Sequence, residues 1–307
     1  MSPNLPAYSL MQIIDAHFHL WDLQENYYPW LNDGDRSSVV PNYSSLRSNY
    51  LISDFLGDAA GIDLLAAVHI QAEHDPRDHV RETRWLQQVA NAPESHGFPQ
   101  AIVANVDLAA PEAQEVLEGH MAYRNMRGLR QALHRRLDES VPYDPLFDPV
   151  WQRNFRLVRD FELSFDLQFF PEQGEGVVEL VRAHPDVQFI LTHVGMPYMQ
   201  HEERHALWRR NMTALSMMPN VAVKISGFGM FDSAWTPESI RPLTDFVLEH
   251  FRPERCLLAS NYPVEGIVKP YREIWAAYAQ CFADLSPHEQ AALFHANAKR
   301  LYRLRDE

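Results

Sequence analysis

The chain has 307 residues, 46% of them hydrophobic, enough for one large buried core. Lys and Arg number 27 against 41 Asp and Glu, a formal charge of −14, so the molecule's field repels phosphate backbones and anionic membranes, and neither nucleic acid nor membrane is expected as a partner. Two cysteines, Cys256 and Cys281, exclude a disulfide framework and point to buried thiols in a reducing compartment.

The opening segment MSPNLPAYSLMQ has no basic stretch followed by an apolar one, and no run reaches the ~20 apolar residues of a membrane span, so a cytoplasmic location is expected. Eight short β-type runs then follow in order: IIDAHFH from Ile13, LLAAVHIQAE from Leu64, AIVANVD from Ala101, MRGLRQ from Met126, SFDLQFF from Ser164, VQFILTHVG from Val187, VAVKISG from Val221 and CLLASNYP from Cys256. Helical patterns lie between most of them. In DPVWQRNFRLVRDF, Asp148 and Pro149 supply a cap and a first-turn proline, and Trp151, Phe155, Val158 and Phe161 recur at helical spacing. TPESIRPLTDFVLEHF opens the same way at Thr236, and the last helix begins with Ser286 and Glu289, a capping-box pair. Eightfold strand–helix alternation predicts one (β/α)8 barrel domain over 1–307, with a doubly wound open sheet as the lesser alternative. The segment at about 20–63, joining the first two strands, is long, and its ENYYPWLND stretch, with Trp21, Tyr27, Tyr28 and Trp30, is the expected aromatic wall of a ligand site.

Strand periodicity sorts the polar residues. On the first strand Asp15, His17 and His19 are expected on one face and Ala16 and Phe18 on the other. Histidines at i and i+2 bring two imidazoles to a common point, which suits a metal ion or an inert hydrogen-bonded pair. Lys224 opposes Val221, Val223 and Ile225, while Asp166 and Gln168 oppose Leu167 and Phe169. Barrel strands are covered by helices outside, so such residues need buried partners. His193 follows the sixth run, as a site group or a turn histidine. Glu73 ends the second as ligand, base or cap, and Arg127, Arg130, His134, Arg135 and Arg136 follow or lie in the fourth. Arg127 or Arg130 could fork onto a substrate carboxylate or carbonyl.

With these motifs, and with YPWL, RGLRQ, VAVKISGFGMF, PERCLLASNYPVEG and FHANAKRLYRL, the chain resembles the amidohydrolase superfamily nearly end to end, specifically the amidohydrolase-2 type lactonases that include sugar-acid lactonases. The resemblance implies a barrel hydrolase in which His17 and His19 are the first-strand pair, His193 the sixth-strand histidine, and Asn261 stands where an aspartate is usual. It also implies no two-metal site, because no fourth-strand lysine of the carbamylated type is present. An amide cannot accept a proton at neutral pH, so acid–base work falls to His17, His19, His193 and Glu73. The expected activity is opening of a small sugar-acid or muconolactone-type lactone, with or without one divalent metal, zinc first, on His17 and His19, and with no organic cofactor. Asn261 would donate a hydrogen bond to the carbonyl or the water. Arg130, Arg127, Lys224, Gln168, Trp21, Tyr28 and Trp30 would bind the lactone or carboxylic acid. A non-oxidative decarboxylase of aromatic or muconate-type acids and a catalytically silent ligand-binding barrel are the alternatives, and homo-oligomer formation is left open.

Overall fold

A computed structural model describes residues 11–34, 40, 43–134 and 143–305. Arg135 and Arg136, with positions 35–39 and 41–42 of the first long connection, lie outside the described residues. Eight parallel strands stand side by side in chain order: β1 Gln12–Phe18, β2 Asp63–Ile70, β3 Ala101–Ala104, β4 Met126–Leu129, β5 Ser164–Leu167, β6 Phe189–Leu191, β7 Val221–Ile225 and β8 Cys256–Leu258. Every run read from the sequence overlaps one of them, β1 and β2 each starting one residue before its run. An open doubly wound sheet would reverse its strand order at a switch point, and this order never reverses. The sheet curls until its two edges meet, where the Asn261 N–H donates to the His17 carbonyl and the His19 N–H to the Tyr262 carbonyl, each at 2.8 Å. Closure therefore runs through the residues singled out on the first and last strands.

Alternate residues divide between two apolar layers. Ile14, Val68, Val103, Ile190, Ala222 and Leu257 fill the barrel together with Tyr302 from the C-terminal segment. Val221, Val223 and Ile225 face outward onto the helices, as their period predicts. Both faces are buried, which is why the strands read as apolar runs rather than as polar–apolar alternation. Cys256 and Cys281 are free and buried. Among the described residues no helix is long and apolar enough to cross a membrane.

The helix starts follow their caps. Asp148 accepts the Val150 and Trp151 N–H groups at 2.7 and 3.0 Å, Thr236 accepts that of Ser239, and Ser286 and Glu289 bond reciprocally. The first of these helices is not continuous: Pro149–Asn154 and Arg156–Asp160 meet at Phe155, whose ring packs on Phe165 and Phe189 under the sheet.

One phase expectation is corrected. The β1 register against β2 slips between Asp15 and Phe18. This bulge adds one residue, so Ile14 and Ala16 point into the barrel and His17 and His19 do as well, while Asp15 points outward. Its carboxylate accepts from the Ser260 N–H and hydroxyl, the His17 N–H and the Tyr271 hydroxyl, fastening β1 to the end of β8. Burial pushes this carboxyl up to about 6 in spite of those donors.

Candidate active site

The polar residues gather where the strands end. His17 lies at the end of β1 and His19 just past it, Lys224 lies late in β7, Arg130 and Gln168 follow β4 and β5 directly, and His193 and Asn261 stand just beyond β6 and β8. All seven are buried, none more than 7% exposed. Strand continuation stops at these positions because the chain turns to present side chains: Glu73, His193, Val194 and Asn261 all take φ between 49° and 60°. For Val194, β-branched, that conformation is strained, and such strain concentrates at functional sites.

A line of hydrogen bonds runs through the cluster. Lys224 Nζ lies 3.4 Å from His17 Nδ1, His17 Nε2 lies 3.2 Å from His19 Nε2, and His19 Nδ1 lies 2.7 Å from the Ile70 carbonyl. The carbonyl can only accept, so His19 carries its proton on Nδ1 and accepts at Nε2; His17 then donates at Nε2 and accepts at Nδ1 from the lysine. The His193 ring packs 4.7 Å from that of His17, with Ser226 Oγ 3.1 Å from its Nδ1. Burial, reinforced by the positive charges of Lys224 and Arg130, holds His17, His19 and His193 well below the usual imidazole range, so all three are neutral at pH 7.

The cation in this line is itself held from below. Lys224 donates to Asp166 Oδ1, and the Tyr302 hydroxyl donates to both oxygens of the same carboxylate at 2.8 and 3.0 Å. Burial pushes Lys224 down to about 8 against the pull of Asp166. Beside it, Arg130 donates to Gln168 Oε1 and to the Gln71 carbonyl. The Asn261 amide packs on Met230 Sδ at 3.5 Å, and Glu73 accepts from Gln71 at 2.9 Å.

Other expected residues are placed differently. Arg127 sits early in β4 and bonds the carbonyls of Arg124, Met126 and Arg303, away from the histidines. Tyr28 is fully buried in a small cluster with Trp21 and Leu31, under the loop rather than on an open wall. Trp21 stacks 6.3 Å from His19 and donates to the Ser48 carbonyl, and Trp30 packs edge-on to it and donates to the Ala72 carbonyl. Phe170 covers His134, their rings 4.4 Å apart.

Sequence reasoning missed three supporting groups. Tyr302 fills the barrel floor from the chain's end, and nothing local marks it. His69 accepts the Leu20 N–H at 2.9 Å and holds the chain just past His19. Glu82 accepts the Ala72 N–H at 3.0 Å from the first turn of the helix His79–Asn91, and burial raises its carboxyl to about 8. With the folded value above the unfolded one, Glu82 supports stability fully below pH ~4.5 and loses that contribution as pH rises through ~8. Glu82→Gln keeps an acceptor for Ala72 and removes the titration. It is expected to raise Tm by a few degrees at pH 8 and to change it little at pH 4.5, read by thermal melts across pH; Asp15 and Glu265, shifted in the same direction, leave a residual slope.

A parallel barrel that gathers buried imidazoles, a lysine and an arginine at its strand ends places its polar groups where barrel enzymes build their active sites. The chain belongs to the amidohydrolase family, whose profile matches residues 14–304. It is 42% identical to the uncharacterised protein y4mH of Sinorhizobium fredii over 296 residues, 95% of this chain and 98% of that one. It is 27% identical to the L-fucono-1,5-lactonase of Burkholderia multivorans over 310 residues, 95% and 96% of the two chains. The crystal structure of a Burkholderia multivorans amidohydrolase with bound zinc superposes with a TM-score of 0.79 at 25% identity, covering 96% of this chain and all of that one.

Whether this chain's own residues fit such an ion turns on their donors. The Nε2 atoms of His17 and His19 converge, yet the Asp15 and Asp166 carboxylates are taken by hydroxyl, amide and ammonium donors, and Asn261 is neutral. Among the described residues no group of three or more His, Cys, Asp and Glu is arranged to hold a metal. Two converging imidazoles, a third packed 4.7 Å from one of them and an ammonium 3.4 Å from the same ring offer no free negative charge, a set that would hold a dication only weakly.

Proposed function

We propose that this protein opens the ester bond of a small lactone, a sugar-acid 1,5-lactone first, without a resident metal. The observation that carries this reading is the line from Lys224 through His17 to His19, which places a proton donor between two imidazoles in a cluster that holds a third neutral imidazole. Similarity to L-fucono-1,5-lactonase along 95% of the chain supports the substrate class. His193, neutral at pH 7, takes the proton of the attacking water, and the negative charge of the tetrahedral intermediate raises its basicity as it does so. His17 turns its Nε2–H from His19 to the lactone carbonyl, and the Lys224 ammonium behind it stabilises the developing oxyanion. When the ring C–O bond breaks, the leaving oxygen takes a proton from the imidazolium. Arg130 and Gln168 grip substrate hydroxyls or a carboxylate, and Trp21 and Trp30 border the ring.

Acid release from a panel of sugar-acid and muconate-type lactones, followed with a pH indicator, tests this. Turnover of a sugar-acid lactone supports it. Carbon dioxide evolution from an aromatic or muconate-type acid without acid release would replace it with a decarboxylase, and tight lactone binding without turnover would replace it with a binding barrel. Exhaustive chelation is expected to leave kcat within about twofold, because the mechanism draws its charge stabilisation from Lys224 and imidazole rather than a Lewis acid. Loss of activity restored by Zn²⁺ would place an ion on His17 and His19 instead.

A further inference from the structure

The segment that follows β7, SGFGM, touches both His193 and Asn261, although it belongs to neither strand end. Ser226 Oγ lies 3.1 Å from His193 Nδ1. Gly227, at φ 71°, lies so close to that ring that a Cβ would come within 2.5 Å of Nδ1. Three residues on, Met230 Sδ lies 3.5 Å from the Asn261 amide. The segment is short and glycine-rich, so its own preferences do not fix it in this path.

The buried Phe228 ring anchors its middle, and one side chain from another loop holds the backbone around it. Glu265 is 2% exposed, and its Oε1 accepts both the Gly229 N–H at 2.7 Å and the Trp235 indole N–H at 2.6 Å. A Cβ on Gly229 would meet Val268 Cγ2 at 2.4 Å and this oxygen at 2.8 Å, so glycine is what lets the loop approach these side chains so closely. The Glu265 N–H in turn donates to the Asn261 carbonyl at 3.0 Å. A single carboxylate thus ties the β7 loop to the turn that presents Asn261. Its second oxygen is buried and has no hydrogen-bond partner among the described residues, so the group does not hold its place by solvation.

We propose that Glu265 is a positioning residue: by clasping Gly229 and Trp235 it holds the 226–230 segment against His193 and Asn261 and so sets the orientation of the His193 imidazole. This rests on the histidine cluster being the active site. An acceptor oxygen is all the clasp requires, so Glu265→Gln keeps it and Glu265→Ala abolishes it.

The test reads His193 directly. The protein is labelled with ¹⁵N-histidine, the His193 ring signals are assigned by their loss in His193→Ala, and spectra of Glu265→Ala and Glu265→Gln are compared with wild type after circular dichroism has shown each to be folded. Shifted or broadened His193 ring signals are expected in Glu265→Ala, with wild-type signals in Glu265→Gln. On a lactone that the wild type opens, kcat is expected to fall about tenfold to a hundredfold in Glu265→Ala, as for a reacting group displaced by a fraction of an ångström to an ångström, with KM held within about threefold and Glu265→Gln restored. Signals that do not move, that move equally in Glu265→Gln, or that move with kcat unchanged overturn the proposal. If Glu265→Ala does not fold, Trp235→Phe, which removes only the indole donor, decides on the same signals. Where no lactone is opened by the wild type, the proposed function fails, and the ring signals alone still decide whether the clasp exists.

Discussion

Replacing His193 with alanine is expected to lower kcat for lactone opening by about 10³-fold, in the range for removal of a general base, while KM changes little. The ring stands among groups that cannot replace it: Lys224 is already a donor, Asn261 is an amide, and His17 and His19 have their tautomers fixed by Lys224 and the Ile70 carbonyl. Ser226 would then face a cavity rather than a base. The measurement is acid release under saturating lactone, with and without added imidazole. Partial recovery with imidazole would assign the loss to the missing base. A rate within tenfold of wild type would show that His193 takes no proton, and would move the base to Glu73 or to His19.

Wild-type kcat is expected to hold constant across the region where an ordinary histidine would titrate, because burial and the neighbouring cations hold His193 well below that range. A fall in rate as pH drops from 7 to 6 would contradict that.

Much of this arrangement was legible before any coordinates, and for a physical reason. Barrel strands are buried on both faces, so a lysine, aspartate or glutamine inside an apolar run has to find a partner, and Lys224 and Asp166 found each other. The same rule could not foresee the β1 bulge. Period 2 puts Asp15 with the histidines, and only the register slip against β2 turns it outward to Ser260 and Tyr271. Arg127 and Arg130 are three residues apart in one motif and looked equivalent, yet strand length separates them: one sits early in β4 and the other follows its last residue. Tyr302 and Glu265 were invisible because their partners are distant in the chain, 136 residues away for Tyr302 and 30 or more for Glu265. No local pattern reports such pairings. Asn261 was legible as a departure, and the structure adds that its backbone closes the barrel on His17 while its amide rests on the β7 loop.

Lys224→Met is expected to cost about 3–5 kcal/mol of stability, the range for removing one partner of a buried ion pair, because Asp166 would keep its charge with only Tyr302 to satisfy it. Both side chains of the pair are fully buried, so solvent cannot take the place of the ammonium. The variant alone would confuse folding with chemistry. Lys224→Met with Asp166→Asn removes both charges and leaves an amide oxygen for the Tyr302 hydroxyl, so Tm is expected to return to within a few degrees of wild type. Activity is expected not to return. His17 would lose the donor at Nδ1, its proton could move to that nitrogen, and Nε2 would present a lone pair where the lactone carbonyl needs a hydrogen bond. The folded lysine lies at about 8 against an ordinary value of 10.5, so the unfolded chain binds more protons between those pH values and wild-type stability gains a rising contribution with pH across that window. The double variant is expected to lose that rise. Urea melts at pH 7 and 9, with kcat measured on the same samples, check every part. A double variant that regains both stability and turnover would reduce Lys224 to a structural charge and leave the oxyanion to Arg130 and the imidazoles.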